Sequence, residues 1–157
     1  MRILGIDPGT HIIGYGLLDY APNQYSSPTF GTLQVPPKTP LPEALNSIYS
    51  DLQELLQWLE PEVVVIEQLF FFRNVSTAMS VAQARGVMVL ATAQAGLPQA
   101  EYTPLQVKMT LTGYGRASKQ EVQETVRDLL KLEQVPKPDD AADALALAIT
   151  HAHYLLP

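Results

Sequence analysis

Cysteine is absent from all 157 residues, which excludes disulfide staples and thiolate metal sites and leaves oxygen and imidazole donors for any metal. The absence suits a reducing compartment. Long apolar runs are missing too: none reaches the roughly 18 residues of a membrane span, and Asp7 breaks the N-terminal stretch Met1-Arg2-Ile3-Leu4-Gly5-Ile6 too early for a signal-peptide core. The expected location is the cytoplasm. Basic residues are scarce, with ten Lys and Arg against sixteen Asp and Glu and a net charge of −6, the wrong balance for a chain that grips phosphate backbones everywhere. Repeats, linkers and low-complexity segments are also lacking. A hydrophobic fraction of 46% is enough to build a core without covalent help, so residues 1–157 read as one domain.

The acidity is uneven. From Tyr102 to Gln120 there is no acid, while Lys108, Arg116 and Lys119 give that stretch three positive charges. Any contact with nucleic acid is expected to use this face. Two bound divalent cations would offset four of the six excess negative charges.

Ile3-Leu4-Gly5-Ile6 reads as a buried strand, and Ile12 to Tyr20 alternates as its hairpin neighbour across a turn containing Pro8-Gly9. A third strand is expected from about Thr29 to Val35. Leu45, Ile48, Leu52, Leu55 and Leu59 recur at helical spacing between Pro42 and Pro61, a stripe that must face a sheet. Val63-Val64-Val65-Ile66 is a β-branched run of the kind covered on both faces, and Glu67 closes it. A long helix follows from about Ser76 to Ala95, then a short strand from Gln99 to Tyr102. Thr103-Pro104 begins a helix that Gly113 ends. Ser118-Lys119-Gln120-Glu121 opens another as a capping box, running to about Leu132, and a last helix starts near Asp139. Three hairpin-like strands followed by alternating helices and strands predict an α/β fold with a mixed sheet flanked by helices.

Four acids stand out from this layout. Asp7 and Glu67 each follow an apolar strand, so neighbouring strands would project both from one sheet edge, where α/β proteins place ligands. Asp140 and Asp143, three apart, share one helix face. Such a group cannot crowd a small dry site unless cations neutralise it. Magnesium, with octahedral oxygen coordination, takes carboxylates, waters and phosphate oxygens. Two such ions would activate a water and stabilise a departing 3′ oxygen during in-line attack at phosphorus. Each acid also has a plainer reading. Asp7 suits an Asx turn, Asp139 or Asp140 suits a helix N-cap, and Asp143 suits the positive helix end. Glu67 resists the plain reading best, because an acid ending a buried β-branched run needs a partner.

The sequence resembles the RuvC family of Holliday junction resolvases, a branch of the ribonuclease H-like fold, from Met1 to about His153. The resemblance is carried by Gly5-Ile6-Asp7-Pro8-Gly9, Ile66-Glu67-Gln68-Leu69-Phe70, Gln83-Ala84-Arg85-Gly86, Gln106-Val107-Lys108, Gly113-x-Gly115-x-Ala117-x-Lys119 and Asp140-Ala141-Ala142-Asp143-Ala144-Leu145-Ala146. It implies a five-stranded mixed sheet, and Asp7, Glu67, Asp140 and Asp143 as catalytic acids binding two Mg2+ ions, with Mn2+ as a substitute. It implies symmetric paired nicks in four-way junctions that leave 5′-phosphate and 3′-hydroxyl ends, in recombination and repair. It further implies that Phe70 meets unstacked bases while Lys108 and Lys119 approach phosphates. Arg73 and Arg116 are further candidates for the DNA backbone. Phe70-Phe71-Phe72 serve equally well as core packing. The family acts as a homodimer beside RuvA and RuvB, and the helix containing Val81 to Leu90 suits either a dimer interface or a core. The acidic balance and an end at Pro157 without a basic tail depart from the family.

Three other readings compete. One is a junction-binding protein that does not cut. Another is an actin-like ATPase, suggested by Gly5-Ile6-Asp7-Pro8-Gly9-Thr10 but requiring a second comparable domain. The third is a ribonuclease H-like enzyme acting on RNA hybrids.

Overall fold

A computed structural model describes residues 1–69 and 75–156. Its elements run β1 (Arg2–Asp7), β2 (Ile12–Ala21), β3 (Gln24–Gln34), α1 (Leu41–Leu59), β4 (Val63–Glu67), α2 (Val75–Gln94), β5 (Gln99–Tyr102), α3 (Pro104–Thr112), α4 (Lys119–Leu129) and α5 (Asp139–Tyr154). The strands form one sheet in the order β3-β2-β1-β4-β5. β1, β2 and β3 pair antiparallel, and β4 pairs parallel with both β1 and β5. The expected five-stranded mixed sheet flanked by helices is what forms.

Two boundaries differ from the sequence reading. β3 begins at Gln24, not near Thr29, because Ala21 pairs with Gln24 across Pro22-Asn23 and Asn23 takes a positive φ of 63°. Such a conformation closes a two-residue hairpin, and Asn tolerates it. The polar residues ahead of the expected start, Gln24 to Ser26, are thus ladder residues. α4 stops at Leu129, since Lys131 turns left-handed at φ 55°. α3 shows a full capping box, Thr103 with Gln106, and ends at Gly113 with φ 74°. Ser118 Oγ accepts from the Glu121 amide at 3.1 Å, one half of the expected capping box; the return bond from the Glu121 side chain is not made.

Strand alternation assigns side chains to two cores. Leu4, Ile6, Ile13, Leu17, Val64 and Ile66 meet Ile48, Leu52 and Leu55 of α1 together with Ala84 and Met88 of α2. Ile3, Leu18, Val63 and Val65 meet Val107 of α3, Val122 and Val126 of α4, and Leu145, Leu147 and Ile149 of α5. Because β1 and β4 alternate, Asp7 shares a face with Ile3, and Glu67 with Val63 and Val65. Both acids lie on the α5 side. There the helix backbone comes unusually near the sheet: a Cβ on Gly5 would collide with the Ala144 carbonyl, and one on Gly14 with the Asp140 backbone. Only glycine permits this contact. No helix among the described residues is long and apolar enough to cross a membrane.

Candidate active site

β1 and β4 run parallel with Ile6 opposite Ile66, so the next residues, Asp7 and Glu67, stand side by side at the strand ends. On its other flank Asp7 pairs with Gly14 of β2, and the missing side chain there leaves room for the Asp140 backbone. The first turn of α5 is thereby laid over the end of the sheet. The N-cap of α5 is Pro138 and no side chain caps the helix, so neither Asp139 nor Asp140 is used as a cap. Asp140 and Asp143, half-buried, face the strand-end acids. Asp139 is 60% exposed and turns away.

The electrostatics follow from this crowding. Burial, then the charges of Glu67, Asp143 and Asp140, push the Asp7 carboxyl up to about 9, so without metal it keeps its proton at neutral pH. Burial also raises Glu67, opposed by a hydrogen bond from Asp7. Asp143 is raised by burial, against the pull of Lys119. Burial works to lower the Lys119 ammonium, but Asp143 and Asp139 outweigh it and its pKa rises. Lys119 Nζ lies 3.5 Å from Asp143 Oδ2 and 3.7 Å from Asp139 Oδ2.

Four carboxylates that cannot all ionise together, supplying only oxygen, match the needs of hard divalent cations. Among the described residues, however, no three acids or imidazoles already stand as a closed cage. The carboxyls lean on one another and on Lys119 instead. Asp7, Glu67, Asp140 and Asp143 are the residues that could hold metal.

Beside the acids opens a cleft of about 210 Å³ lined by Glu67, Asp143, Lys108 and Lys119 together with Val107 and Leu147. Two of the expected phosphate contacts therefore border the acids. Arg116 is exposed and lies outside this lining. Phe70 and Arg73 lie outside the described residues. His11 and His153 are exposed. His151, held below its usual pKa by burial, has Nδ1 2.9 Å from Tyr102 Oη and is engaged there. A wider cavity of about 400 Å³ between α1 and α2, lined by residues such as Gln53, Leu56 and Ala91, contains none of the four acids. Sequence reasoning passed over Gly14. Its signal was Gly14-Tyr15-Gly16 inside a strand, which marks close backbone approach.

The profile of the family described as Crossover junction endodeoxyribonuclease RuvC matches residues 3–151. The chain is 54% identical over 153 residues to the Crossover junction endodeoxyribonuclease RuvC of Desulfitobacterium hafniense, covering 98% of this chain and 93% of that one. The protein of the same name in Heliobacterium modesticaldum is 53% identical over 155 residues, covering 99% and 96%. Among solved structures, T. thermophilus RuvC in complex with Holliday junction substrate superposes with a TM-score of 0.87 at 36% identity, covering 98% of this chain and 94% of that one. Matched over almost its whole length in sequence and in backbone, the chain belongs to the RuvC family of crossover junction endodeoxyribonucleases, with their ribonuclease H-like fold.

Proposed function

We propose that this chain, as a single domain over residues 1–157, resolves four-way DNA junctions with Asp7, Glu67, Asp140 and Asp143 as the acids that bind two magnesium ions. The carrying observation is the meeting of acids from β1, β4 and α5 beside a cleft that Lys108 and Lys119 also line. Bound divalent ions, Mg2+ or Mn2+ in its place, would supply a polarised phosphoryl group, an activated water and a stabilised leaving oxygen. The protein's part is placement. Asp7 and Glu67 are fixed by the sheet, and Asp140 and Asp143 by the rigid start of α5, so the ligand set is built on regular elements. Lys108 and Lys119 attract and orient the scissile phosphate, and Arg116 offers a further backbone contact. Products with 5′-phosphate and 3′-hydroxyl ends follow from a water attacking phosphorus as the 3′ oxygen departs.

The reading includes Phe70 against unpaired bases, Arg73 near the backbone, RuvA and RuvB as partners, and a cytoplasmic setting. It also includes a homodimer, whose paired sites suit a substrate with two-fold symmetry. The outward stripe of α2 supports this last point: Met79 is 60% and Leu90 51% exposed, and Ala82 and Gly86 lie between them. An apolar stripe at helical spacing that the described residues leave uncovered suits a self-complementary contact.

The deciding experiment offers the protein a synthetic four-way junction with Mg2+, alongside linear duplex and RNA hybrid. Paired symmetric nicks in the junction, lost in Asp7→Asn and Glu67→Gln, are the expected result. Binding without cleavage, or preferential hybrid cleavage, overturns the reading.

A further inference from the structure

The end of β4 leaves a backbone carbonyl without its usual partner. Val64 N–H donates to the Pro98 carbonyl and Gln68 N–H to the Tyr102 carbonyl, so these alternate residues turn their backbone groups toward β5. Glu67, one step out of phase, turns its own toward β1. With Ile6 opposite Ile66 in parallel pairing, the next donor along β1 for the Glu67 carbonyl is residue 8. That residue is Pro8, which has no N–H.

Arg85 of α2 takes the missing place. Its Nε donates to the Glu67 carbonyl at 3.0 Å. Its Nη2 lies 3.2 Å from Glu101 Oε2 of β5 as an ion pair, and has no well-angled hydrogen-bond acceptor among the described residues. The side chain is 20% exposed. One planar guanidinium thus ties α2 to the ends of two adjacent strands, a geometry that a lysine ammonium does not reproduce.

The simplest reading is that Arg85 satisfies a carbonyl and nothing more. Two observations argue for more. The carbonyl belongs to the residue whose carboxyl stands beside Asp7 at the strand ends, so a rotation of that peptide moves the acid. The neighbour of Arg85, Gly86, lies on the exposed stripe of α2, so the same turn of helix borders both the surface and the catalytic strand. We propose that Arg85 is a positioning residue that holds the Glu67 peptide in register with Asp7 and makes that alignment depend on the seating of α2. This rests on Glu67 being a metal-binding acid.

The test compares full-length Arg85→Gln, Arg85→Lys and Glu67→Gln with the wild type. Mn2+ binding is measured by calorimetry without DNA, junction affinity in chelator, single-turnover cleavage with Mg2+, and folding by thermal melting. Arg85→Gln is expected to bind Mn2+ about 10-fold more weakly and cleave about 30-fold more slowly, within the range for groups that orient metal ligands, while junction affinity stays within about twofold. Arg85→Lys, which keeps a charged donor but cannot hold the carbonyl and Glu101 from one planar fork, is expected to recover part of both losses and to remain about 3-fold below wild type. Wild-type Mn2+ affinity and cleavage in Arg85→Gln, or in Arg85→Lys should the glutamine variant not fold, with Glu67→Gln inactive, overturns the proposal. Cleavage by Glu67→Gln overturns instead the reading of Glu67 beneath it.

Discussion

Against one face of the sheet α1 packs Ile48, Leu52, Leu55 and Leu59, branched side chains that keep the helix a full side-chain layer away. Against the other, α5 sets Ala141, Ala144 and Ala148, all buried, on a surface from which Gly5 and Gly14 have removed the side chains. The first face obtains its stability from volume, at about 1.5–3 kcal/mol for each large side chain buried. The second obtains position from close contact. All four acids belong to the second face, because only a helix lying directly on the strands brings its first turn down to the sheet edge. Cohesion and chemistry are thus divided between the two sides of one sheet.

The division is testable, and the largest effect is expected at the acids. Asp7→Asn should lower junction cleavage by about 10³-fold or more, measured as single-turnover rate with Mg2+, since on the proposed function it removes a ligand to the ions that would stabilise the transition state. The same change should make the metal-free protein more stable. Asp7 goes from 3.8 unfolded to about 9 folded, so between those values the folded protein holds a proton that the unfolded chain has released. Stability then falls as pH rises through that window, by at most about 1.4 kcal/mol per pH unit for one proton. Melting in chelator from pH 5 to 9 should show this slope in wild type and a flatter one in Asp7→Asn. An unchanged slope would remove the electrostatic account of the site.

Next in size are two substitutions that set the faces against each other. Gly14→Ala should drive α5 from the sheet, costing about 3 kcal/mol or more of stability through backbone overlap and abolishing cleavage by the protein that remains folded. Leu52→Ala on the opposite face should cost about 2–5 kcal/mol as a cavity, yet leave cleavage per folded molecule close to wild type below its melting temperature. Equal loss of specific activity in both would collapse the distinction. A smaller effect is expected from Lys119→Gln, which should weaken junction binding and reduce the slope of log affinity against log salt by about 1 in a titration. The smallest is Ser118→Ala, expected to lower stability by about 1 kcal/mol in denaturant melts by removing the α4 N-cap.

The volume-packed face was plainly legible in sequence, because the leucine stripe of α1 and the run Val63 to Ile66 repeat with helical and buried-strand patterns. The capped ends of α3 and α4 were legible for a similar reason, since Thr103, Gly113 and Ser118 have local roles. The close-packed face was harder to read. A glycine in a strand signals only that something comes near, and that the Gly14 neighbour is Asp140 depends on residues far apart in the chain. Asp139 and Asp140 were indistinguishable as letters. They separate once the helix phase is fixed, one toward Lys119 in solvent and the other toward Asp7. Arg85 stood within a recognised motif, but its contact with the Glu67 carbonyl follows from the register of β1 and β4 together with Pro8. No local pattern encodes that register.

The bare contact between α5 and the strands also decides where the protein tolerates redesign. Filling the space between α1 and α2 with larger side chains, for instance at Ala95 beside the cavity there, adds cohesion without touching the acids. Where α5 crosses Gly5 and Gly14 the same strategy has no room, and each added carbon becomes an offset in the spacing of Asp140 and Asp143 from Asp7 and Glu67. The sheet behaves there as a gauge block, and its thickness at Gly5 and Gly14 is a specification of the candidate site.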